Sequence, residues 1–267
     1  MRWRDCITGL LESKVAATLA AKSGCFAIHV YNQTMSTAYF LFHGRLNDFL
    51  PAEQREGQVT IRFRERQSVK HLAESLGVPH PEIGPIQVNG REEALGRITE
   101  EGDRVEIHPI ENGCPIEARF ILDCHLGRLT AHLRMLGFDC LYQNDFDDSR
   151  MTEIAVQEKR ILLTRDRRLL MRKVIQHGYC PRSLNPQEQL TEIIQRFELK
   201  RKILPFHRCL RCNQTLEPVA KEVVLDRLET LTKLYFNEFH ICPVCAQIYW
   251  KGSHYDQMLN MIEQIRS

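Results

Sequence analysis

Two short apolar runs that each end in an acid decide the fold: Arg119-Phe-Ile-Leu-Asp123 and Arg160-Ile-Leu-Leu-Thr-Arg-Asp166. A third run, Asp139-Cys-Leu-Tyr-Gln-Asn-Asp145, lies between them and leads into Asp147 and Asp148. Apolar runs of this length are typical of parallel strands buried on both faces. Because open parallel sheets bind ligands beyond the carboxyl ends of their strands, several carboxylates would share one crevice. Crowded carboxylates repel one another, so the stretch predicts a site for hard divalent cations.

Amphipathic patterns over residues 124–137, 149–159 and 187–202 predict helices between and after these strands. The alternation predicts an α/β sheet with right-handed crossovers. Five basic residues are expected to line the helix after Asp166 and to surround that acid: Arg165, Arg167, Arg168, Arg172 and Lys173.

The net charge of the chain is only +2, but it is unevenly distributed. Residues 118–208 carry 17 basic and 11 acidic residues, whereas residues 36–112 carry 9 and 13 and residues 209–267 carry 6 and 7. A basic surface around an acidic pocket suits a polyanionic substrate whose phosphates meet metal ions. A chance imbalance of surface charge is the alternative.

Two Cys-x-x-Cys pairs near the C-terminus supply four thiolates, the number that a tetrahedral structural zinc ion needs. They are Cys209 with Cys212 and Cys242 with Cys245. The interval between the pairs is longer than usual, so residues 217–238 are expected to be looped out. Reduced cysteines without a metal, or a redox dithiol pair, are the alternatives. The other six of the ten cysteines are scattered, and no clear secretory signal is present, which favours a cytoplasmic location.

The N-terminal half contains a second unit, residues 36–112, with a different pattern. Two strands, a short helix capped by Ser68 and ended by Gly77, and further strands predict a β-grasp. Residues 1–35 are predicted to be a poorly ordered extension or to precede a true start at Met35. No apolar run reaches the roughly 18 residues of a membrane span, so no membrane partner is expected.

The β-grasp unit resembles ubiquitin-like sulfur carriers of the ThiS and MoaD kind at Val69-Lys-His-Leu72, Val88-Asn-Gly90 and Glu101-Gly-Asp-Arg-Val-Glu-Ile107. Those carriers end in an activated Gly-Gly. Here the chain continues through Pro109-Ile-Glu-Asn-Gly-Cys114, so the resemblance implies a binding or packing role, with a possible protein partner, rather than sulfur chemistry.

The following motifs resemble the RNase domain at the C-terminus of the Mut-seven exonuclease: residues 120–137, Tyr142-Gln-Asn-Asp145, Ile161-Leu-Leu-Thr-Arg-Asp166, both cysteine pairs and Tyr249-Trp-Lys-Gly-Ser-His254. That family has a PIN-like nuclease fold with a zinc ribbon, and bacterial members often carry a ubiquitin-like domain. The resemblance covers about residues 36–260. It implies a PIN-like domain over residues 118–208, a zinc ribbon and C-terminal helix over residues 209–267, and an N-terminal β-grasp.

The resemblance also implies site residues and an activity. Asp123, Asp145, Asp148 and Asp166 would bind catalytic Mg²⁺ or Mn²⁺, and the four paired cysteines would bind zinc. Singly, each acid could instead cap a helix, and Asp147 could replace Asp145 or Asp148. The leading hypothesis is a metal-dependent ribonuclease that hydrolyses RNA. The alternative is a non-catalytic zinc-ribbon module that binds RNA or protein, with the ubiquitin-like domain as an adaptor.

Overall fold

The computed structural model describes residues 35–266, and the prediction for the extension falls on residues that lie outside this range. Three sheets of five, four and three strands organise the described residues. None of the helices in this part of the chain combines the length and apolar character that crossing a bilayer requires.

The N-terminal sheet has the order β2-β1-β5-β3-β4, with β1 and β5 parallel at its centre. Its elements are β1 (Ser36–Phe42), β2 (Gln58–Phe63), α1 (Val69–Ser75), β3 (Ile83–Val88), β4 (Arg91–Glu93) and β5 (Arg104–Pro109). Ser68 caps α1 by accepting from the amide of His71. Asn89 and Gly90 both have positive φ and form the tight turn of the β3–β4 hairpin. The predicted β-grasp is confirmed.

The second sheet is parallel throughout and has the order β7-β6-β8-β9. Its elements are β6 (Arg119–Leu122), α2 (Gly127–Met135), β7 (Asp139–Leu141), α3 (Asp148–Gln157), β8 (Ile161–Leu163), α4 (Arg167–Leu170), β9 (Gly178–Tyr179) and α5 (Pro186–Arg196). The predicted parallel α/β sheet is confirmed. The two-residue strand β9 was not predicted, because it is too short to show a pattern.

The parallel sheet is covered on both faces, but by different parts of the chain. Phe120 and Leu122 pack in one core with α2 and α5. Ile121 and Leu162 point the other way, into a core that also contains α3 and the apolar face of the N-terminal sheet. The β-grasp therefore shares a continuous core with the parallel sheet.

The third sheet forms a ribbon with the order β10-β11-β12. Its region contains β10 (Glu217–Val219), α6 (Lys221–Val224), α7 (Thr230–Tyr235), β11 (Phe239–Ile241), β12 (Ile248–Trp250) and α8 (Ser253–Arg266). The expectation that residues 217–238 are looped out is wrong in part, because β10 pairs with β11. Residues 221–235 leave the sheet as short helices. Ile262 and Ile265 of α8 pack into the α2–α5 core.

The prediction of a basic helix after Asp166 is wrong in part, because the helix is present and carries Arg167 and Arg168 but is too short to carry the other basic residues. α4 is a single turn, Arg167–Leu170, and Leu169 and Leu170 are buried. Arg167 donates to the carbonyl of Phe49 in the N-terminal domain at 2.8 Å, and Arg172 contacts Asp148. Arg167 and Arg172 are therefore paired with groups other than Asp166.

Candidate functional site

The predicted acids follow three adjacent parallel strands at the carboxyl edge of the sheet. Asp123 comes directly after β6, which lies between β7 and β8. Asp145 lies in the loop after β7, and Asp166 lies in the loop after β8. The register pairs Ile121 with Leu141 and Leu122 with Leu163, so all three loops leave the sheet from the same edge.

The Asp123 carboxylate is fixed by three donors from two loops. Its Oδ1 accepts from the amide of His125 at 2.8 Å, which caps the turn after β6. Its Oδ2 accepts from the hydroxyl of Thr164 and from the amide of Arg165 at 3.2 Å. The residue is only 5% exposed. Asp123 is therefore a buried acceptor whose orientation is set by the loops after β6 and β8.

Asp123 differs in its charge partner from the other buried acids. Among residues 35–266, the buried carboxylates are those of Glu82, Asp103 and Asp123. Glu82 pairs with Arg182, and Asp103 pairs with Arg97. Among the described residues, no arginine or lysine lies within ion-pair distance of Asp123; the basic side chain within that distance is the 81%-exposed ring of His125, whose Nδ1 lies 3.5 Å from Oδ1 of Asp123. A buried charge without a strong counter-charge is costly, so this position favours a bound cation.

Thr164 connects Asp123 to Asp166. The buried Thr164 hydroxyl donates to Asp123 and accepts from the amide of Asp166 at 2.9 Å. Asp166 is exposed and caps α4 through Oδ1, which accepts from the backbone amides of Arg168 at 2.8 Å and of Leu169 at 3.4 Å. Within residues 35–266, no donor makes a hydrogen bond to Oδ2 of Asp166. The two acids are thus held on neighbouring loops by one shared hydroxyl.

The acids after β7 have three different surroundings. Asp147 caps α3 by accepting from the amide of Arg150 at 2.7 Å. Asp148 lies 3.3 Å from Arg172 in an exposed ion pair. Asp145 is exposed, and its carboxylate makes no hydrogen bond or ion pair with another described residue. Of the three, Asp145 has the carboxylate that is free of structural partners.

The four predicted acids do not form one compact cluster. Asp123 belongs to a group with Cys124 and His125, whose ligand atoms lie within 4.8 Å of one another. Within the described part of the chain, Asp145, Asp148 and Asp166 belong to no such group of three. The sequence analysis did not consider Cys124 or His125 as site residues, although they follow Asp123 directly.

Tyr142, for which no role was predicted, also lies at this edge. Its hydroxyl lies 3.0 Å from the carbonyl of Cys124 and 2.6 Å from Oδ1 of Asn144. Burial, and then the nearby Cys124 and Asp123, raise the pKa of Tyr142, so the phenol is protonated at neutral pH. A Cβ at Gly127 would lie 2.7 Å from this hydroxyl, so only glycine leaves room for it.

Exposed arginines surround the acidic edge on the loops that carry the acids. Arg128 lies at the start of α2, and Arg165 and Arg168 flank Asp166. In the described residues none of the three guanidinium groups forms an ion pair, and that of Arg165 donates to the carbonyl of Ser183 at 3.3 Å. These side chains are available to phosphate groups.

The four paired cysteines form a compact group in the ribbon. Their sulfur atoms lie within 4.8 Å of one another, with Cys209 to Cys245 at 3.5 Å and Cys212 to Cys242 at 3.3 Å. A tetrahedron with metal–sulfur bonds of about 2.3 Å has edges of about 3.8 Å, so the group fits a metal ion. The predicted cysteine cluster is therefore present.

Both cysteine turns have the same backbone geometry. The amide of Cys209 donates to the backbone carbonyl of Gln214, and the amide of Cys242 donates to the backbone carbonyl of Gln247. The fifth residue of each turn, Asn213 or Ala246, has positive φ and donates back to the first cysteine. This repeated turn points two sulfurs of each pair toward the other pair.

The thiols differ in acidity. Burial opposes ionisation of Cys209, but hydrogen bonds from Tyr249 and from the amides of Cys212 and Arg211 lower its pKa to about 6. Burial and the neighbouring sulfurs raise the pKa of Cys212 to about 12, and the pKa of Cys245 is also raised. Four thiolates at this spacing therefore require a cation.

Buried polar contacts connect the first cysteine turn to the parallel sheet. Arg134 of α2 is buried. It donates to the carbonyls of Leu210 and Arg211 at 3.0 and 2.9 Å and also to Cys140. Asn213 accepts from the amide of Cys140 at 2.9 Å. The ribbon is thus attached to β7.

Asp139 completes this connection. It accepts from Asn213 at 2.7 Å and from Arg160 at 2.8 Å. Burial opposes its ionisation, but the hydrogen bonds from Arg160 and Asn213 hold the pKa of Asp139 below its usual value. The carboxylate is therefore charged at neutral pH, and it links Asn213 of the ribbon to Arg160 at the start of β8.

These features define a class: an α/β protein with an acidic carboxyl edge, a covering β-grasp domain and a four-cysteine ribbon. Comparison with known protein families matches residues 118–262 to the Mut7-C RNAse domain and residues 35–114 to the Mut7-C ubiquitin domain. Because the first match covers more than half of the sequence, the chain belongs to the Mut7-C RNAse domain family. Comparisons with curated proteins and with solved structures gave no match.

Proposed function

We propose that the protein is a metal-dependent ribonuclease that hydrolyses phosphodiester bonds of RNA. The observation that carries this proposal is the buried Asp123 carboxylate, which has no arginine or lysine partner within residues 35–266 and lies at the carboxyl edge of a parallel sheet. Ligands of such sheets bind at this edge. The family match adds support, because it is to an RNase domain.

In this proposal Asp123, Asp145, Asp148 and Asp166 hold Mg²⁺ or Mn²⁺. When bound, such ions lower the pKa of water and stabilise the charge that develops on phosphate oxygens. Asp148 would join only when its ion pair with Arg172 opens. Oxygen donors suit these hard cations, and the exposed Asp145 carboxylate has no partner in the part of the chain that the structure describes.

The protein's own groups orient the acids and bind the substrate. Thr164 and the amide of Arg165 fix one oxygen of Asp123, and the amide of His125 fixes the other. Tyr142 holds the loop after β7 against Cys124. The exposed guanidinium groups of Arg128, Arg165 and Arg168 would contact RNA phosphates and position the strand across the acidic edge.

The four ribbon cysteines hold a structural zinc ion in this proposal. All four sulfurs are used, which leaves no position for a substrate. We also propose a cytoplasmic location, because the eight described cysteines are free thiols and a reducing compartment preserves thiolate ligands.

A non-catalytic RNA- or protein-binding module is the second candidate. It is favoured by one observation: Asp123, Asp147 and Asp166 all cap helical turns, so each has a structural role without a metal. An adaptor role for the ubiquitin-like domain would leave only its outer surface for a partner, because its apolar face is used in the shared core.

RNA cleavage distinguishes these candidates. We expect single-stranded RNA to be cut only when Mg²⁺ or Mn²⁺ is present, and Asp123→Asn and Asp166→Asn each to lower the rate by more than about 100-fold, because loss of a ligand should exceed the effect of losing an outer-shell contact. Asp226→Asn, at an exposed acid of the ribbon, is the matched control and should cut normally. RNA that is bound but never cut by the wild type would support the binding module, and full cleavage by both variants would refute the site.

A further inference from the structure

We propose a second metal site, separate from the acidic edge and the ribbon cysteines, on the outer face of the β-grasp sheet. It consists of His43, Glu106 and His108, whose ligand atoms lie within 4.8 Å of one another. It would take a borderline transition-metal cation such as Zn²⁺ or Ni²⁺.

The backbone holds the three residues side by side. β1 and β5 are parallel, and Phe42 pairs with Ile107. The amide of His43 donates to the carbonyl of Ile107 at 2.9 Å, which continues the ladder one residue beyond β1. Glu106 and His108 are two residues apart on β5 and therefore point to the same face. Phe42 and Ile107 point to the opposite face and are buried in the core.

The side chains are already close together. Nε2 of His43 lies 3.2 Å from Oε2 of Glu106. The rings of His43 and His108 stack with their centroids 4.1 Å apart and an angle of 1° between their planes. Parallel rings do not aim their lone pairs at one point, so one ring must turn about χ2 when a metal binds. This torsion is soft in histidine, and its rotation does not disturb the sheet.

The donor set determines the class of cation. Two imidazole nitrogens and one carboxylate oxygen suit Zn²⁺, Ni²⁺ or Cu²⁺, whereas Mg²⁺ and Ca²⁺ prefer oxygen ligands. The side chains of His43 and Glu106 are 35% and 47% exposed, so ions can reach them. Three protein ligands would leave an open coordination position for water or for a donor from another molecule.

A calorimetric titration of the full chain tests this site. The ribbon cysteines are first filled with one equivalent of zinc, and Ni²⁺ is then added. We expect one saturable equivalent at this site, in addition to the Ni²⁺ that the acidic edge of the parallel sheet takes up. The double variant His43→Gln/His108→Gln should lose it, and Glu106→Gln should weaken it by at least about tenfold, because each change removes a ligand.

His71→Gln is the matched control, since His71 is an exposed histidine of the same domain and outside the cluster. It should bind Ni²⁺ as the wild type does. The glutamine substitutions lie on the outer face of the sheet, and circular dichroism checks that each variant is folded. A wild type without the further equivalent, or a folded double variant that keeps it, would overturn the proposal.

Discussion

Replacing Glu82 with alanine is expected to lower the free energy of unfolding by about 3–5 kcal/mol, the cost of breaking a buried ion pair by removing one partner. Glu82 is fully buried in the N-terminal domain. It accepts two hydrogen bonds from Arg182 at 2.8 and 2.6 Å and one from the amide of Cys180 at 2.8 Å. Alanine would remove all three acceptor contacts.

Arg182 could not leave the interface easily after this change. Its guanidinium lies over the rings of Phe49 and Tyr179, 4.2 and 4.9 Å from their centroids. Burial opposes the charge of Arg182, but the hydrogen bonds and charge of Glu82 raise its pKa, so it stays protonated in the wild type. The variant would keep a largely buried cation whose remaining carboxylate partner is the half-exposed Asp48, 3.6 Å from its Nε.

Urea unfolding measures this effect. The shared core predicts one cooperative transition for the β-grasp and the parallel sheet, with its midpoint lowered in Glu82→Ala. Glu93→Gln, at an exposed glutamate of β4, is the control and should change stability by less than about 0.5 kcal/mol. Equal midpoints for Glu82→Ala and the wild type, or independent unfolding of the β-grasp, would contradict the shared-core description.

Removing the proposed zinc ion is expected to unfold the ribbon. Structural zinc contributes about 10–16 kcal/mol of binding free energy in zinc-finger peptides, and that energy stabilises the fold. The ribbon has only a small core of its own, with four buried residues: Val224, Leu228, Phe239 and Ile248. Such a core is too small to offset the loss of the metal.

The effect should extend into β7. Without an ordered cysteine turn, Arg134 would lose its hydrogen bonds to the carbonyls of Leu210 and Arg211. The amide of Cys140 would lose its hydrogen-bond acceptor, the side-chain oxygen of Asn213. Hydrogen exchange after treatment with a chelator should therefore show faster exchange in residues 209–250 and at Cys140.

A cysteine variant gives the same test without a chelator. Cys242→Ser should lose zinc and show the same pattern of exchange. Cys114→Ser, at a cysteine outside the cluster, should keep its zinc and its protection from hydrogen exchange. Unchanged exchange in the ribbon of zinc-free protein would show that the metal does not stabilise this fold.

The regular elements could be predicted because their signals are local. The run from Arg119 to Asp123 is apolar on successive residues, which indicates a strand buried on both faces, and β6 is indeed central. The Ser68 cap and the Asn89-Gly90 turn are similarly encoded by neighbouring residues. Parallel pairing then brings the loops that carry the acids to one edge without further information.

The contacts that distinguish the acids could not be predicted, because they depend on residues far apart in the sequence. Glu82 and Arg182 are separated by 100 positions, and their pairing requires the two domains to be packed together. Once these ion pairs are known, Asp123 differs from Glu82 and Asp103, because those two acids each pair with an arginine and Asp123 has only His125 as a basic neighbour within residues 35–266. Arg134 is buried for the same reason, because its carbonyl partners Leu210 and Arg211 lie more than 70 positions away along the chain.

The same reason explains the missed cluster on the β-grasp. His43 and His108 lie on different strands, and nothing in either local sequence indicates that they meet. Their proximity follows from the parallel register of β1 and β5. Short elements such as β9 and the single turn of α4 were also beyond prediction, since tertiary contacts decide them.

A Mn²⁺ titration of zinc-loaded protein, followed by calorimetry while RNA cleavage is assayed on the same sample, tests the central claim most directly. The wild type should bind Mn²⁺ saturably, and cleavage should rise with occupancy. Asp123→Asn, folded and zinc-loaded, should lose both, because the buried charge that favours a cation is gone. Equal Mn²⁺ binding and equal cleavage by the wild type and Asp123→Asn would contradict a metal site at Asp123.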